Sequence, residues 1–327
     1  YLLSSALNMS SASVILVGAS RYGTLLKQGT LNAKILNITG IFCGIKGLSF
    51  IYNGTPTSGG TAIATTANYT TLDDFVIRSS YIGISWDTGV GGKATMFEVL
   101  DYESVGLLVN GLNDLYINQF LMNAGNSTRG ALGGIRLTNK VEAFIATDGD
   151  IINGVYPITT AAGSYTAANR PAYCNFTNVF FDSGTSSATL DQIVESEFVG
   201  CWFSNGRSGG GASGLNLGAT NSDSIKFVSC RFFNCGAHGA LVNANAKRTV
   251  FNACSFESNS FTTGVGVSHG LSIAAKIRAI GAAAGKANAV GNAQNCRVRS
   301  DRVCANALHK GKQRIKSVSG WVGDDAD

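Results

Sequence analysis

Short apolar clusters separated by small polar residues recur along most of the chain. The four clearest copies occupy 176–183, 198–205, 227–234 and 251–258. Each has the pattern Phe-x-x-Cys/Val-x-Phe followed by Asn, Ser or Asp, and the four begin 22, 29 and 24 residues apart. Looser copies occupy 97–104 and 144–151. Runs of this kind, rich in β-branched and aromatic residues and bounded by turn formers, predict short strands.

The spacing of the repeat predicts how these strands are assembled. One unit of about 20 to 30 residues cannot bury its apolar side alone, whereas stacked units share a continuous core. The leucine spacing of leucine-rich repeats is absent, and a β-propeller needs about 40 residues per blade. The sequence therefore predicts an all-β fold, a single-stranded right-handed parallel β-helix. Its hand follows from the rule for parallel crossovers.

The pattern changes near residue 275. Before this point there is no helical periodicity, and after it the strand-like runs give way to Ala-rich, basic sequence. We therefore expect a β-helix domain over 1–275 and an irregular or partly helical basic segment over 276–327. A helical cap, a separate subdomain, a disordered end and a reading-frame slip all remain open for this segment.

Composition and charge exclude several classes of function. The chain is 45% hydrophobic and 14% charged, which argues against disorder. The net charge of +5 arises in 276–327, which holds 10 Lys/Arg and 4 Asp/Glu, so the rest of the chain has no basic stripe for nucleic acid. No apolar run approaches the ~20 residues that span a membrane, so we expect no membrane insertion. The chain begins at Tyr1 without a leader, which suggests a fragment or a processed product.

The eight cysteines give no metal-binding pattern, because CxxC is absent and the chain has only three His. The sequence therefore predicts neither a metal nor another cofactor. Cys201, Cys230 and Cys254 occupy the same position in successive repeats. This placement favours a stack of buried, reduced thiols, with disulfide bridges as the alternative in a secreted protein.

The repeat also predicts which side chains face outward. The inward pairs in the four clear copies are Val179/Phe181, Cys201/Phe203, Cys230/Phe232 and Cys254/Phe256, and alternation along a strand places their neighbours outside. The predicted outward column contains Asp101 and Glu103, Asp148 and Asp150, Phe180 and Asp182, Trp202 and Ser204, Arg231 and Phe233, and Ser255 and Glu257.

This column contains candidate catalytic residues. Residues i and i+2 of a strand lie about 6.6–7 Å apart, within the range of about 6.5–9.5 Å for the two carboxylates of inverting glycosidases. Asp148 and Asp150 are therefore the predicted catalytic pair, with Asp182 as a third carboxylate. Trp202 and Arg231 are predicted to stack on a sugar ring and to bind an acidic saccharide. Asp101 and Glu103 form the next candidate pair, here assigned to substrate binding.

Each of these candidates has a structural alternative. Asp, Asn and Ser often occupy turns and hydrogen-bond to the backbone there. Asp-Gly-Asp is an ordinary turn sequence, and an outward Trp can be covered by a loop or by a neighbouring subunit. Glu195 and Glu197 form a further i,i+2 pair that fits a solvated strand face.

The four Phe-x-x-Cys/Val-x-Phe repeats resemble the coils of pectate-lyase-like β-helix proteins. The stretch from Gly214-Leu-Asn-Leu to Phe256 is similar to the body of bacteriophage tailspike and tail-fibre β-helices, and the likeness covers roughly 1–275. This resemblance implies a homotrimer of a phage virion tail, or an extracellular protein, that binds and often cleaves bacterial capsular or O-antigen polysaccharide. Fold alone does not establish a reaction.

Two short motifs near the end of the chain resemble those of one class of β-helix hydrolases. Ser268-His269-Gly270 and Arg314-Ile315-Lys316 resemble two polygalacturonase motifs, but the carboxylate motifs of those enzymes are missing. These two motifs are therefore read as chance matches. The outward acid and aromatic column, together with the tailspike likeness, leads us to expect a hydrolytic polysaccharide depolymerase. A non-catalytic structural or adhesin β-helix and a polysaccharide lyase are the alternatives.

Overall fold

The computed structural model describes residues 1–126, 128–160, 169–205, 212–259, 271–273, 277–280, 283–284, 287–289 and 297–299. These residues form strands joined by turns, without a helix among them. Accordingly, the described part of the chain has no helix long and apolar enough to cross a membrane.

Among the described residues every strand pair is parallel, and the strands fall into two long sheets and one short pair. The larger sheet contains β1 (Leu2–Leu3), β3 (Ile15–Val17), β4 (Leu25–Gln28), β6 (Gly44–Tyr52), β8 (Thr70–Arg78), β10 (Val90–Leu100), β12 (Asn113–Asn123), β14 (Ile145–Ile152), β16 (Asn175–Phe181), β18 (Glu197–Val199), β19 (Trp202–Phe203), β22 (Lys226–Val228), β23 (Arg231–Phe233), β26 (Thr249–Asn252), β27 (Ser255–Glu257), β29 (Ile277–Ile280), β30 (Ala283–Ala284) and β32 (Arg297–Arg299). The second sheet contains β2 (Leu7–Met9), β5 (Leu36–Ile38), β7 (Thr61–Thr65), β9 (Ile82–Asp87), β11 (Val105–Asn110), β13 (Gly133–Thr138), β15 (Ile158–Thr160), β17 (Ala188–Leu190), β20 (Leu215–Leu217), β24 (Ala240–Val242), β28 (Leu271–Ile273) and β31 (Ala287–Ala289). The short pair is β21 (Ser222–Asp223) and β25 (Ala246–Lys247).

The two long sheets alternate along the chain, so each coil contributes one strand to the second sheet and then returns to the larger one. Coil length varies, from 16 residues between the partners Leu271 and Ala287 to 31 residues between Ala240 and Leu271. This arrangement is the predicted parallel β-solenoid. Strands β29 to β32 continue the pairing past the boundary expected at residue 275, and the other residues of 276–327 lie outside the described residues.

In nine successive coils, from β6 to β26 and β27, one residue bends the larger sheet and divides it into two outer faces. These residues, which we call the bend column, have φ between 50° and 66° and are Gly47, Asp74, Met96, Gln119, Asp148, Asn178, Gly200, Ser229 and Ala253. The strand register aligns them from coil to coil. Because a left-handed residue adds one position to the strand, inward positions are separated by three residues across the bend and by two elsewhere.

This geometry explains the Phe-x-x-Cys/Val-x-Phe repeat. The first Phe lies before the bend, the Cys or Val comes directly after it, and all three apolar positions point into the core. The first Phe residues stack with centroid distances of 4.7 Å (Phe176–Phe198), 5.0 Å (Phe198–Phe227) and 4.9 Å (Phe227–Phe251). These distances match the coil spacing of about 4.8 Å, so the aromatic rings pack in register along the solenoid axis.

The predicted inward residues are confirmed, since Val179, Phe181 and their equivalents in the next three coils are buried. Cys43, Cys174, Cys201, Cys230, Cys235 and Cys254 are buried, free thiols. The Cys201 thiol donates to the carbonyl oxygen of Phe176 at 3.4 Å, and Cys230 and Cys254 repeat this contact one coil later each. Burial raises the pKa of Cys174 and of Cys235 to about 12, so these thiols are protonated and unreactive. Cys296 and Cys304 lie outside the described residues.

Candidate functional site

The candidate site lies on the outer face that is formed by the strand residues following the bend column in each coil. We call it the outer face after the bend. Its first outward position in successive coils, which we call the acid–aromatic column, contains Glu98, Leu121, Asp150, Phe180, Trp202, Arg231 and Ser255. The next outward position, the second column, contains Leu100, Asn123, Ile152, Asp182, Ser204, Phe233 and Glu257. The two columns run side by side along the solenoid axis and form one surface.

Asp150 and Asp182 form the acid pair of this surface. Phe180 is the register partner of Asp150, and Asp182 lies two residues beyond Phe180. One coil spacing of about 4.8 Å and two residues along the strand place the two side-chain positions about 8 Å apart. Burial raises the pKa of Asp150, and the negative charge of Asp182 raises it further. Both side chains are half-buried, and the backbone N–H of Ser183 donates to Asp182 Oδ1 at 2.6 Å.

The flanking residues account for the burial of the Asp150 carboxyl. Leu121 lies on one side of it in the column and Phe180 on the other. Ile152 follows two residues later on the same side of the strand. A carboxylate between apolar side chains loses hydration, and this loss outweighs the hydrogen bond from the backbone of Ile151, so the neutral form is favoured.

Asp148 does not belong to this surface. It occupies the bend column with φ 53° and pairs in register with Gln119 and Asn178. The Nδ2 groups of Asn118 and Asn178 donate to its Oδ2 and Oδ1, each at 3.2 Å. The predicted alignment of 144–151 with the clear repeats is therefore wrong by two residues, because Ala146 rather than Phe144 pairs with Phe176. Asp150 accordingly faces Asp182 in the next coil and not Asp148.

Asp101 and Glu103 also lie away from the predicted position. Phe97 pairs with Phe75 and Phe120, so the alignment of 97–104 is wrong by three residues and both acids fall in the turn after β10. Arg129 reaches this turn from the next coil, with Nη1 3.4 Å from Asp101 and Nε 2.9 Å from Glu103. These contacts join two adjacent turns, outside both columns.

Trp202 and Arg231 lie in the column as predicted, within an aromatic cluster. The Trp202 ring is 4.9 Å from the ring of Phe180 and 4.7 Å from that of Phe233. The Arg231 guanidinium lies 5.4 Å from the Trp202 ring and 4.6 Å from the Phe233 ring. Its Nη2 is 3.0 Å from Glu257 Oε2. Phe180 is 38% exposed, so the cluster presents aromatic surface to solvent.

Phe180 and Phe233 were not among the predicted site residues, although the repeat alignment places them on the outside. Their signal is the consecutive pair Phe-Phe in two of the repeats, since only one of two adjacent strand residues can face the core. When both residues of such a pair are apolar, the one that faces outward indicates an exposed surface with a use beyond packing.

The other sequence candidates lie elsewhere. Glu195 has φ 47° at a different corner of the coil, and Glu197 pairs with Asn175 and Lys226 on the face before the bend. His269 and the Arg314-Ile315-Lys316 motif lie outside the described residues. Within the described ranges, no group of three or more His, Cys, Asp or Glu side chains could hold a metal ion.

Comparison with known proteins gives structural but not sequence relatives. No family model matches the sequence, and no curated protein is similar to it in sequence. The A-module of the Azotobacter vinelandii mannuronan C-5 epimerase AlgE4 superimposes with a TM-score of 0.65 at 11% identity, over 94% of this chain and 89% of that module. The Dettilon tailspike protein gives a TM-score of 0.59 at 14% identity, over 84% of this chain and 61% of that protein.

The catalytic domain of a GH87 α-1,3-glucanase variant in complex with tetrasaccharides gives a TM-score of 0.57 at 13% identity, over 94% of this chain and 63% of that one. This chain thus spans less than two thirds of the tailspike and glucanase chains. At these identities the likeness establishes the fold alone. The protein has the right-handed parallel β-helix fold shared by phage tailspikes and other β-helix enzymes.

Proposed function

We propose that this protein binds and hydrolyses a bacterial capsular or O-antigen polysaccharide on the outer face after the bend. The observation that carries the proposal is the placement of Asp150 and Asp182 in neighbouring coils, beside the exposed ring of Phe180 and next to Trp202. The solved β-helix structures with similar folds include a tailspike, a glucanase and a mannuronan epimerase. That similarity supports a polysaccharide as the ligand of a long outer face.

The separation of the two acids favours one stereochemical course. Inverting glycosidases hold their carboxyl groups about 6.5–9.5 Å apart, and retaining enzymes about 5–5.5 Å apart. The side-chain positions of Asp150 and Asp182, about 8 Å apart along the surface, fit the inverting range and leave room for a water molecule between Asp182 and the sugar. The proposed reaction is therefore hydrolysis with inversion at the anomeric carbon.

The environments of the two acids assign their roles. Asp150, whose pKa is raised by burial and by Asp182, is the proton donor to the glycosidic oxygen. Asp182 accepts a proton from the water molecule, whose oxygen attacks the anomeric carbon from the opposite face. The bond from that carbon to the glycosidic oxygen breaks, and the leaving sugar departs with the proton of Asp150. Trp202 and Phe180 hold the sugar rings by stacking.

The assembly and location are also proposals. We propose a homotrimer exposed on a virion tail or in the extracellular space. In support, the first coils expose apolar surface: the rings of Phe42 and Tyr69 stack 4.9 Å apart, and Ile15, Val17 and Ile41 are also exposed. Exposed apolar surface of this kind is typical of a face that is covered in an assembly. Light scattering on the purified chain tests this, and a monomer would contradict it.

Depolymerisation assays test the proposed reaction. Purified protein is incubated with a panel of capsular and O-antigen polysaccharides, and reducing ends, ultraviolet absorbance and the anomeric form of the products are followed. We expect new reducing ends, no unsaturated products, and loss of activity in Asp150→Asn and Asp182→Asn. Unsaturated products would show a lyase instead. Binding without cleavage would favour a non-catalytic adhesin.

A further inference from the structure

The arginines near the candidate site already have carboxylate partners. Arg21 lies 3.6 Å from Asp74 and 3.7 Å from Glu98 at one end of the face. Arg231 is paired with Glu257 near the other end. At the adjoining turn, as described above, Arg129 contacts Asp101 and Glu103. Each of these cations is neutralised by at least one acid of the protein.

The acid pair itself has no such compensation among the described residues. No ion pair to Asp150 or Asp182 is formed within them. Within the part of the chain that the structure describes, the remaining cations on this face are Lys27 and Arg78. Arg78 lies in the second column, four coils from Asp182. The distance between them is therefore about 19 Å, well beyond a Debye length of about 8 Å. Among the described residues, therefore, no unpaired cation lies within a Debye length of the acid pair.

The residues beside the acid pair are mostly apolar. Leu121 and Phe180 flank Asp150, Ile152 neighbours Asp182, and Trp202 follows in the next coil. An anionic group of a ligand placed there would lose its hydration without gaining a cationic partner from the described residues. The hydrogen-bearing faces of an uncharged sugar ring, by contrast, match leucine, isoleucine and aromatic side chains.

We propose that the polysaccharide is uncharged where it crosses the surface from Leu121 to Trp202, so that its backbone consists of neutral sugars rather than uronic or sialic acids. This proposal rests on the proposed function, which places the substrate on this surface. The proposal also changes the expected role of Arg231, because the sequence analysis assigns Arg231 to the binding of an acidic saccharide. Arg231 extends the aromatic surface through its stacking on Trp202 and Phe233, and Glu257 neutralises its charge.

Matched pairs of polymers test the proposal. Purified capsular polysaccharides that contain uronic acids are compared with their carboxyl-reduced derivatives, which keep the same linkages without the charge, and natural neutral O-antigens complete the panel. Binding is measured by isothermal titration calorimetry on the wild type. We expect a neutral polymer to bind, and the reduced form in its pair to bind at least about tenfold more tightly than the acidic form. We also expect the affinity for the neutral polymer to change little between about 0.05 M and about 0.5 M NaCl.

Variants identify the cause of the discrimination. In the double variant Asp150→Asn/Asp182→Asn the preference for the reduced polymer shrinks, because the repelling charges are gone. Asp148→Asn, two residues away on the bend, is the matched control and keeps the preference. Tighter binding of an acidic polymer, or failure of every neutral polymer to bind, overturns the proposal.

The outcomes separate this inference from the proposed function. Binding of neutral polymers without release of reducing ends refutes hydrolysis and leaves the neutral ligand standing. Hydrolysis of a uronic-acid polymer, lost in Asp150→Asn, supports the proposed reaction and refutes the neutral ligand.

Discussion

Replacing Asp150 by Asn separates the catalytic role of this carboxyl from its effect on stability. The substitution keeps the shape of a half-buried side chain that lies between Leu121 and Phe180 and faces Asp182 in the next coil. It removes the ability to donate a proton and the negative charge at the same time. We therefore expect activity and stability to change in opposite directions.

The size of each effect follows from the geometry. Loss of a positioned general acid lowers the rate by about 10²- to 10⁴-fold. Two carboxylates about 8 Å apart repel by about 0.5 to 2 kcal/mol, between the dielectric constants of water and of a protein surface. Removing one charge relieves this repulsion and ends the desolvation of a charged group. We therefore expect Asp150→Asn to raise the free energy of unfolding at neutral pH by about 0.5 to 2 kcal/mol.

The pH dependence gives the sign of the effect. Because the pKa of Asp150 is raised in the folded protein, the folded state holds this proton more tightly than the unfolded chain. The wild type therefore loses stability as the pH rises from the ordinary aspartate value of 3.8 through the raised pKa. Asn has no such titration, so the gain in Asp150→Asn grows with pH over this window and vanishes below it.

Urea unfolding at several pH values, with activity measured on the same preparations, provides the assay. Asp148→Asn is the matched control, since it makes the same chemical change two residues away. There it converts an acceptor of two amide hydrogen bonds into a mixed donor and acceptor, so we expect unchanged activity and equal or lower stability. A fall in activity for Asp148→Asn, or lower stability for Asp150→Asn at neutral pH, would refute the assignment of the acid pair.

Further variants test the rest of the site and the core. Trp202→Ala removes two aromatic contacts and a stacking surface, so we expect polysaccharide binding about 3- to 10-fold weaker by calorimetry; unchanged affinity would remove Trp202 from the ligand surface. Phe198→Ala opens a cavity between Phe176 and Phe227, so we expect it to lower the free energy of unfolding in urea by about 3–5 kcal/mol. Phe180 is exposed, so Phe180→Ala is expected to lower it far less. Equal losses would contradict the assignment of Phe198 to the core and of Phe180 to the surface. Arg129→Ala is expected to leave activity unchanged and to cost at most about 1 kcal/mol, because its ion pairs are partly exposed and outside the column; lost activity would return Asp101 and Glu103 to the site.

The sequence was sufficient for the fold because the core positions repeat. The aromatic and Cys positions of the four clear copies predicted the buried side of each strand, and the outward placement of Trp202 and Arg231 followed from them. The same logic failed for 97–104 and 144–151. There a Phe was matched to the first position of the repeat, but Phe97 occupies the position after the bend, and Phe144 lies two residues before the position of Phe176.

The sequence by itself determined that short strands stack in parallel coils around an apolar core and that the strands carry an outward acid and aromatic surface. The tertiary structure decided the register between coils of unequal length, and with it the partner of Asp150. A left-handed residue such as Asp148 shifts the alternation of the strand by one position. In β14 the inward residues on either side of this shift are Ala146 and Gly149, which are too small to mark it in the hydrophobic pattern. Hydrogen bonding between neighbouring coils fixes where this shift occurs, so Asp150 faces Asp182, 32 residues away in sequence, and not Asp148.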